Sequence, residues 1–266
     1  KSTRMGIREI LDALADGARQ SLSVMAACAV VGIIIGVVSL TSFGTVMTSS
    51  IMSIGAGSLF LTLFFTMLAS MILGMGLPSI PAYIITATMA APALAHFDIP
   101  TLVAHMFVFY FGLFANITPP VALAAFAGAG IAGGDPMRTG FQALKLSLAG
   151  FIVPFLFVYN PAMLMIDTTN VAVNAREFAF PAWTTIVSIT VTSVIGILAL
   201  GAAVEGYFKT GLNWFWRIFM GVGALMMIIP ETYTDIAGTI MVVIAVAVNV
   251  LQARKQKSTP SGLSSA

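Results

Sequence analysis

From residue 20 to residue 97 the chain carries no Asp, Glu, Lys or Arg, a run of 78 residues without a formal charge. A second such run covers residues 99 to 134. One helix needs about 20 apolar residues to cross roughly 30 Å of hydrocarbon, so these runs hold several crossings. Over the whole chain only 8% of residues are charged and 59% are hydrophobic. A soluble domain averages about 25% charged residues, and so few charges could not cover a water-facing surface of this size. The sequence therefore predicts an all-α polytopic membrane protein whose main solvent is the lipid bilayer. A net charge of +2 gives no footing for nucleic acid. The single cysteine, Cys28, has no internal disulfide partner and reads as a small packing residue.

The apolar segments differ in kind. Residues 1–20 form an amphipathic stretch, with Ile7, Ile10, Leu11, Leu14 and Ala18 on one face and Arg4, Arg8, Glu9, Asp12 and Asp16 elsewhere. That pattern predicts a helix on the cytoplasmic membrane surface. A polytopic protein rarely opens this way, and the expectation is that an N-terminal portion precedes Lys1. Residues 21–41 read as a plain span and 42–55 as a connection or short helix. Two apolar arms, 56–73 and 82–95, flank Gly74, Gly76, Pro78 and Pro81, a pattern for a hairpin that enters the bilayer and turns back. The run 99–132 is broken at Asn116-Ile117-Thr118-Pro119-Pro120, because adjacent prolines remove two backbone donors and disfavour helix before them. Plain spans are expected at 144–166, 183–204, 212–229 and 236–252. The polar tail, 253–266, reads as disordered.

Basic residues orient these segments, since they concentrate on the cytoplasmic side. Arg254, Lys255 and Lys257 place the C-terminus inside. The loops carrying Lys209 with Arg217, and Arg138 with Lys145, are then also inside, as is the start of the first helix. The acidic loop at 230–235 is outside. Arg176 alone opposes this scheme. Trp183, Tyr207, Trp214, Trp216 and Tyr233 fall near span ends, where interfacial aromatics belong.

The two interrupted elements carry the chemistry. In hydrocarbon an unpaired backbone group costs several kcal/mol, so broken helices survive where protein, water or a ligand satisfies them. Half-helix N-termini favour anions, while unwound carbonyls and hydroxyls can face a sodium-sized cation. At the first break, Gly74, Gly76, Pro78 and Ser79 combine close approach, positive φ and a hydroxyl. At the second, Asn116 and Thr118 offer side-chain oxygens beside Pro119 and Pro120. Ser79, Asn116 and Thr118 are therefore the candidate sodium ligands, and no other cofactor is called for. His96 and His105 lack companions at metal-ligand spacing, and with Tyr83 and Tyr110 they read as packing or interface residues. Gly32 with Gly36, and Gly130 with Gly134, match small-xxx-small spacing, a weak signal in a chain with 24 glycines. Thr169 and Ser188 have no paired base, and nothing in the sequence supports an enzyme.

The runs GMGLPSIPAYIITATMAAPAL and HMFVFYFGLFANITPPVALAAFAGAGIAGGDPM, with the segment that follows as far as Leu164, resemble the large membrane subunit of tripartite ATP-independent periplasmic (TRAP) transporters. The resemblance is nearest to the fused permease that works with a TAXI-type periplasmic binding protein. It covers roughly residues 20–166, and residues 167–252 resemble the three helices appended in the fused type. It implies an elevator carrier of the bacterial inner membrane, with two inverted repeats that each supply a re-entrant hairpin and a discontinuous helix. Residues 21–166 would be the second repeat, and the upstream half of the same permease would supply the first. A small organic acid, a C4-dicarboxylate or related carboxylate, would be imported with sodium after delivery by the binding protein. Carried over by position, Gly74 to Ser79 form the hairpin tip and Asn116 to Pro120 the unwound helix. Relatives often show Thr-Thr after the motif proline, where this chain has Ser79-Ile80, and Asp where it has Asn116. A neutral amide keeps a carbonyl oxygen and loses a charge.

Two other readings use the same residues. A channel would line a continuous pore with them, yet the chain has no ring of like charge or repeated carbonyl filter. A membrane scaffold or assembly subunit would tolerate alanine at both breaks.

Overall fold

The computed structural model describes residues 6–166, 180–227 and 232–258. Thr169, Arg176, Glu231 and residues 259–266 lie outside the described residues, as do the side chains of Arg254, Lys255 and Lys257. Among the described residues every extended element is helical. Three helices among them are long and apolar enough to cross a membrane: Pro136–Tyr159, Trp183–Glu205 and Tyr233–Ala253. A fourth crossing is available if the bent pair Met25–Leu40 and Phe43–Gly55 acts as one span. Only 28% of the apolar window within Trp183–Glu205 is buried, with Leu198 and Val187 among the exposed residues. A helix apolar all round and yet largely uncovered belongs in lipid rather than in a soluble core.

The helices group into two compact units. The first comprises residues 1–98 and 108–127. It opens with α1 (Ile7–Leu40), a single helix in which the amphipathic stretch continues into the first apolar span. The sequence reading put a boundary near residue 20, but no break occurs there. Good helix formers on both sides of Gly17 let the backbone hydrogen bonds run through. At 1.5 Å per residue this 34-residue helix is about 51 Å long, more than the hydrocarbon needs. It ends where Thr41 Oγ1 donates to the Val37 carbonyl at 2.8 Å and Ser42 turns left-handed (φ 56°). The chain then bends by 72° into α2 (Phe43–Gly55), so the Ser/Thr-rich connection is a full helix.

Next come α3 (Leu59–Gly74) and α4 (Ser79–Met89), packed together and joined by four residues, followed by the short α5 (Pro92–Ala95). This is the expected hairpin. Ser58 caps α3 by accepting from the Leu61 amide at 3.5 Å. Val31, Ile85 and Met89 form one apolar cluster between α1 and α4, while Ile51, Ala69 and Ala93 tie α2, α3 and α5 together.

Helix α6 (Thr101–Phe114) brings its C-terminal half into this first unit. It tightens into a 3-10 turn over Ala115–Ile117, unwinds over residues 118–122, and resumes as α7 (Leu123–Ala132). The discontinuous helix expected from Pro119 and Pro120 is therefore present; the peptide between them is cis.

The second unit comprises residues 99–107 and 128–266. Helix α8 (Pro136–Ser147) starts on an N-cap in which Asp135 Oδ1 accepts from the Arg138 amide at 2.7 Å. A 3-10 segment at Leu148–Ile152 leads into α9 (Val153–Tyr159). Pro136–Tyr159 is the continuous helical run here that is long and apolar enough to cross, and it overlaps the apolar segment expected at 144–166. The Asp135 cap and Pro136 start the helix upstream of the apolar segment, so Arg138, Gln142 and Lys145 lie on a polar first part of the helix. Helices α10 (Trp183–Glu205), α11 (Trp214–Met226) and α12 (Thr232–Ser258) pack in sequence around small side chains, including Ala199, Ala203, Ala224 and Ala245. Arg217 Nε and Nη2 donate to the Ala203 and Val204 carbonyls at 3.0 and 2.7 Å, capping α10. The last helix runs on to Ser258, beyond the end of the apolar segment. Trp183, Trp214 and Tyr233 are exposed at helix starts.

Candidate functional site

The two interruptions meet within the first unit. At the end of α3 the chain must turn within four residues, and Gly76 does so with φ +74°, a value that L side chains rarely adopt. Gly74 lies directly against Gly112 of α6. A Cβ on Gly74 would stand 2.5 Å from the Gly112 carbonyl oxygen and 2.8 Å from its Cα. Only a bare backbone allows so close a crossing. It puts the hairpin tip beside the point where α6 loses its helical hydrogen bonds. Farther along the tip, Asn116 Nδ2 donates to the Leu77 carbonyl at 3.4 Å, across 39 residues of sequence. A Cβ built on Gly76 would touch Val121 Cγ1 at 3.7 Å, so the tip follows the unwound segment through to its exit.

The individual side chains sit as follows. Thr118 is 8% exposed, and its Oγ1 donates to the Phe114 carbonyl at 2.8 Å. The sequence offers this hydroxyl as an oxygen beside Pro119 and Pro120, with no partner of its own in view. It has a partner, because α6 ends by a Thr back-bonding to the carbonyl four residues earlier. The donation uses the proton and leaves the oxygen's lone pairs. Asn116 is half-buried, and its amide nitrogen, not its oxygen, faces Leu77. Ser79 opens α4 at the exposed tip, with Pro78 before it; Pro119 is half-buried and Pro120 exposed. Ser79 and Thr118 therefore belong to the two segments that meet, one at the surface of the unit and one buried within it.

Electrostatically the site has no formal charge, since residues 99 to 134 contain none and the hairpin lies in the 20–97 run. What it has is backbone dipole. The C-terminal ends of α3 and α6 converge at the Gly74–Gly112 contact, each presenting carbonyls. The N-terminal ends of α4 and α7 leave the same two interruptions, each presenting amides. One side of such an arrangement favours a cation and the other an anion.

Several participants escaped the sequence reading. Leu77 takes part through its carbonyl and Gly112 through its lack of a side chain, and neither leaves a residue-type signal. Thr62, Thr66 and Ser70 recur every fourth residue along α3 toward Gly74, and all three are fully buried. Thr62 donates to the Ser58 carbonyl at 3.0 Å, while Thr66 Oγ1 and Ser70 Oγ have no hydrogen-bond partner. That four-residue spacing was legible and unremarked. His96 lies away from the tip, beside the α1–α2 bend, on cavities of about 440 and 550 Å³ that it shares with Thr45 and Thr48. Among the described residues no group of three His, Cys, Asp or Glu could hold a metal ion.

The chain matches the family described as tripartite ATP-independent periplasmic transporter, DctM component, over residues 1–171. No curated protein and no solved structure matches it.

Proposed function

The chain belongs to the DctM component of the tripartite ATP-independent periplasmic transporters, and from that premise we propose that it is the second repeat of a sodium-coupled permease with its ion site where the two interruptions meet. It is a multi-pass membrane transport component, and the family match supports a permease rather than an enzyme. The proposed cargo is a small organic acid, a C4-dicarboxylate or related carboxylate. A TAXI-type periplasmic binding protein delivers it to the outer face of the inner membrane. The upstream half of the same permease supplies the other repeat, and the C-terminus is cytoplasmic.

The observation that carries this reading is the hydrogen bond from Asn116 to Leu77. It joins two segments whose backbones are both released from regular helix. At such a junction, sodium would meet the Thr118 and Ser79 hydroxyl oxygens, the Asn116 amide oxygen and carbonyls at the ends of α3 and α6. Neutral oxygens suit a singly charged ion that must also leave. The carboxylate would meet the amide ends of α4 and α7 and the groups of the other repeat, since no Lys or Arg lies in either interruption.

The test is uptake by the complete permease in proteoliposomes. Import should require both an inward sodium gradient and the binding protein. Uptake that is unchanged when the sodium gradient is collapsed overturns the coupling, and uptake that saturates without the binding protein overturns the delivery step.

A further inference from the structure

We propose that Asn116 is a positioning residue that latches the hairpin tip onto the broken helix, an inference that rests on reading this junction as the transport site. A hydrogen bond from Asn116 Nδ2 to the Leu77 carbonyl, at 3.4 Å, joins the two interruptions. Other contacts there are backbone against backbone at Gly74–Gly112, apolar at Gly76–Val121, and the Leu77 side chain packed on the Val31, Ile85 and Met89 cluster. They hold the tip close without fixing its height, whereas a hydrogen bond does fix it. The donor matters chemically. Leu77 offers a carbonyl oxygen, so residue 116 must present an N–H. A carboxylate there is nearly the same shape and sets oxygen against oxygen.

The latch also suits a moving part. Tip residues Gly76, Pro78 and Ser79 are exposed and the turn is four residues long, so besides the latch the tip is held by the Gly74 crossing and by the Leu77 side chain, which packs on the Val31, Ile85 and Met89 cluster. Ala115, the residue before Asn116, is fully buried in the 3-10 turn that packs against α3. A tip that lifts from this turn, carrying the end of α3 with it, should uncover Ala115. A single neutral hydrogen bond sets the closed-to-open ratio by about 2- to 12-fold, enough to bias a gate and weak enough to release it.

The experiment reads how often Ala115 is uncovered. Cys28 is the chain's only cysteine, so Cys28→Ala in an otherwise cysteine-free permease allows Ala115→Cys to report alone. Its rate of labelling by a small water-soluble thiosulfonate is measured in the complete permease, without sodium or substrate. Asn116→Asp should raise that rate about 2- to 12-fold, and Asn116→Ala by a similar or smaller factor. Asn116→Gln, which keeps the donor, should stay nearer the parent. A cysteine in place of Ala224, buried in the second unit, should stay unlabelled in every variant, which separates tip opening from unfolding. An Asn116→Asp rate equal to the parent's overturns the latch. So does an Asn116→Gln rate equal to that of Asn116→Asp, because the donor would then not matter. Adding sodium tests the other reading separately. If sodium fails to slow labelling of the parent while the variants keep their order, the ion site is wrong and the latch stands.

Discussion

Gly74→Ala puts a methyl group where α3 crosses α6, and its effect can be worked out from the two backbones. The new Cβ would lie 2.5 Å from the Gly112 oxygen, 2.8 Å from its Cα and 3.0 Å from its carbonyl carbon. Ordinary contact begins at about 3.4 Å, so the two helices would have to part by nearly 1 Å, and backbone cannot swing aside as a flexible side chain can. Overpacking of this kind costs about 1–3 kcal/mol. Gly74 is the last residue of α3, so little helix propensity returns to offset the cost. The reciprocal change is benign. A Cβ on Gly112 would meet Thr86 Cγ2 at 3.4 Å, Thr86 Oγ1 at 3.6 Å and the Ala82 carbonyl at 3.8 Å, all ordinary contacts. Gly112 lies inside α6, where alanine gains about 0.5–1 kcal/mol over glycine. Two glycines on one crossing thus have opposite expected signs. The assay is thermal unfolding of the purified complete permease, at roughly 2–4 °C for each kcal/mol in a protein of this size or larger. Gly74→Ala should lower the midpoint, and Gly112→Ala should leave it level or raise it. Gly74→Ala should also lose uptake beyond its loss of stability, because parting the helices by nearly 1 Å stretches the 3.4 Å Asn116–Leu77 bond past hydrogen-bonding range. Equal midpoints and equal uptake in the two variants would refute the reasoning.

Ser79→Ala and Thr118→Ala each remove one proposed ligand oxygen, a loss of about 1–3 kcal/mol, and the sodium concentration for half-maximal uptake should rise roughly 5- to 150-fold. An unchanged sodium dependence in both would leave the interruptions as hinges, with Ser188→Ala as the control in a plain span. Thr66→Val and Ser70→Ala remove buried hydroxyls that have no partner, so the unfolding midpoint should hold or rise; a fall of several degrees would mean that a buried water pairs them. Asn249→Ala should cost about 1–3 kcal/mol, because Asn249 Oδ1 accepts from the Lys209 and Thr210 amides at 3.0 and 3.3 Å and is the anchor of the α10–α11 loop. A midpoint equal to the parent's would show that water replaces it. A reporter fused after Ala266 should be active only in the cytoplasm, and periplasmic activity would reverse the whole orientation.

Residue type and order alone determined that this chain is helical and lives in lipid. The charge-free runs leave no other solvent for residues 20 to 97, and backbone groups in hydrocarbon must pair within their own segment. The same local physics placed the interruptions. Pro119 and Pro120 remove donors wherever they fall, and Gly76, two residues before Pro78, favours a turn in any surroundings. Span ends were less legible. The helix that begins at Pro136 is opened by the Asp135 cap and starts with polar residues, so hydropathy marked only its apolar part. What the tertiary structure alone decided is which interruption meets which, and through what atoms. Leu77 contributes a carbonyl, a group every residue has, and Gly112 contributes an absence, so neither stands out along a chain with 24 glycines. Asn116 illustrates the limit best. Its amide can donate or accept, and sequence reasoning chose the oxygen for an ion. Packing α3 against α6 sets the Leu77 oxygen opposite the side chain, and that neighbour, 39 residues away, is what turns the nitrogen toward it.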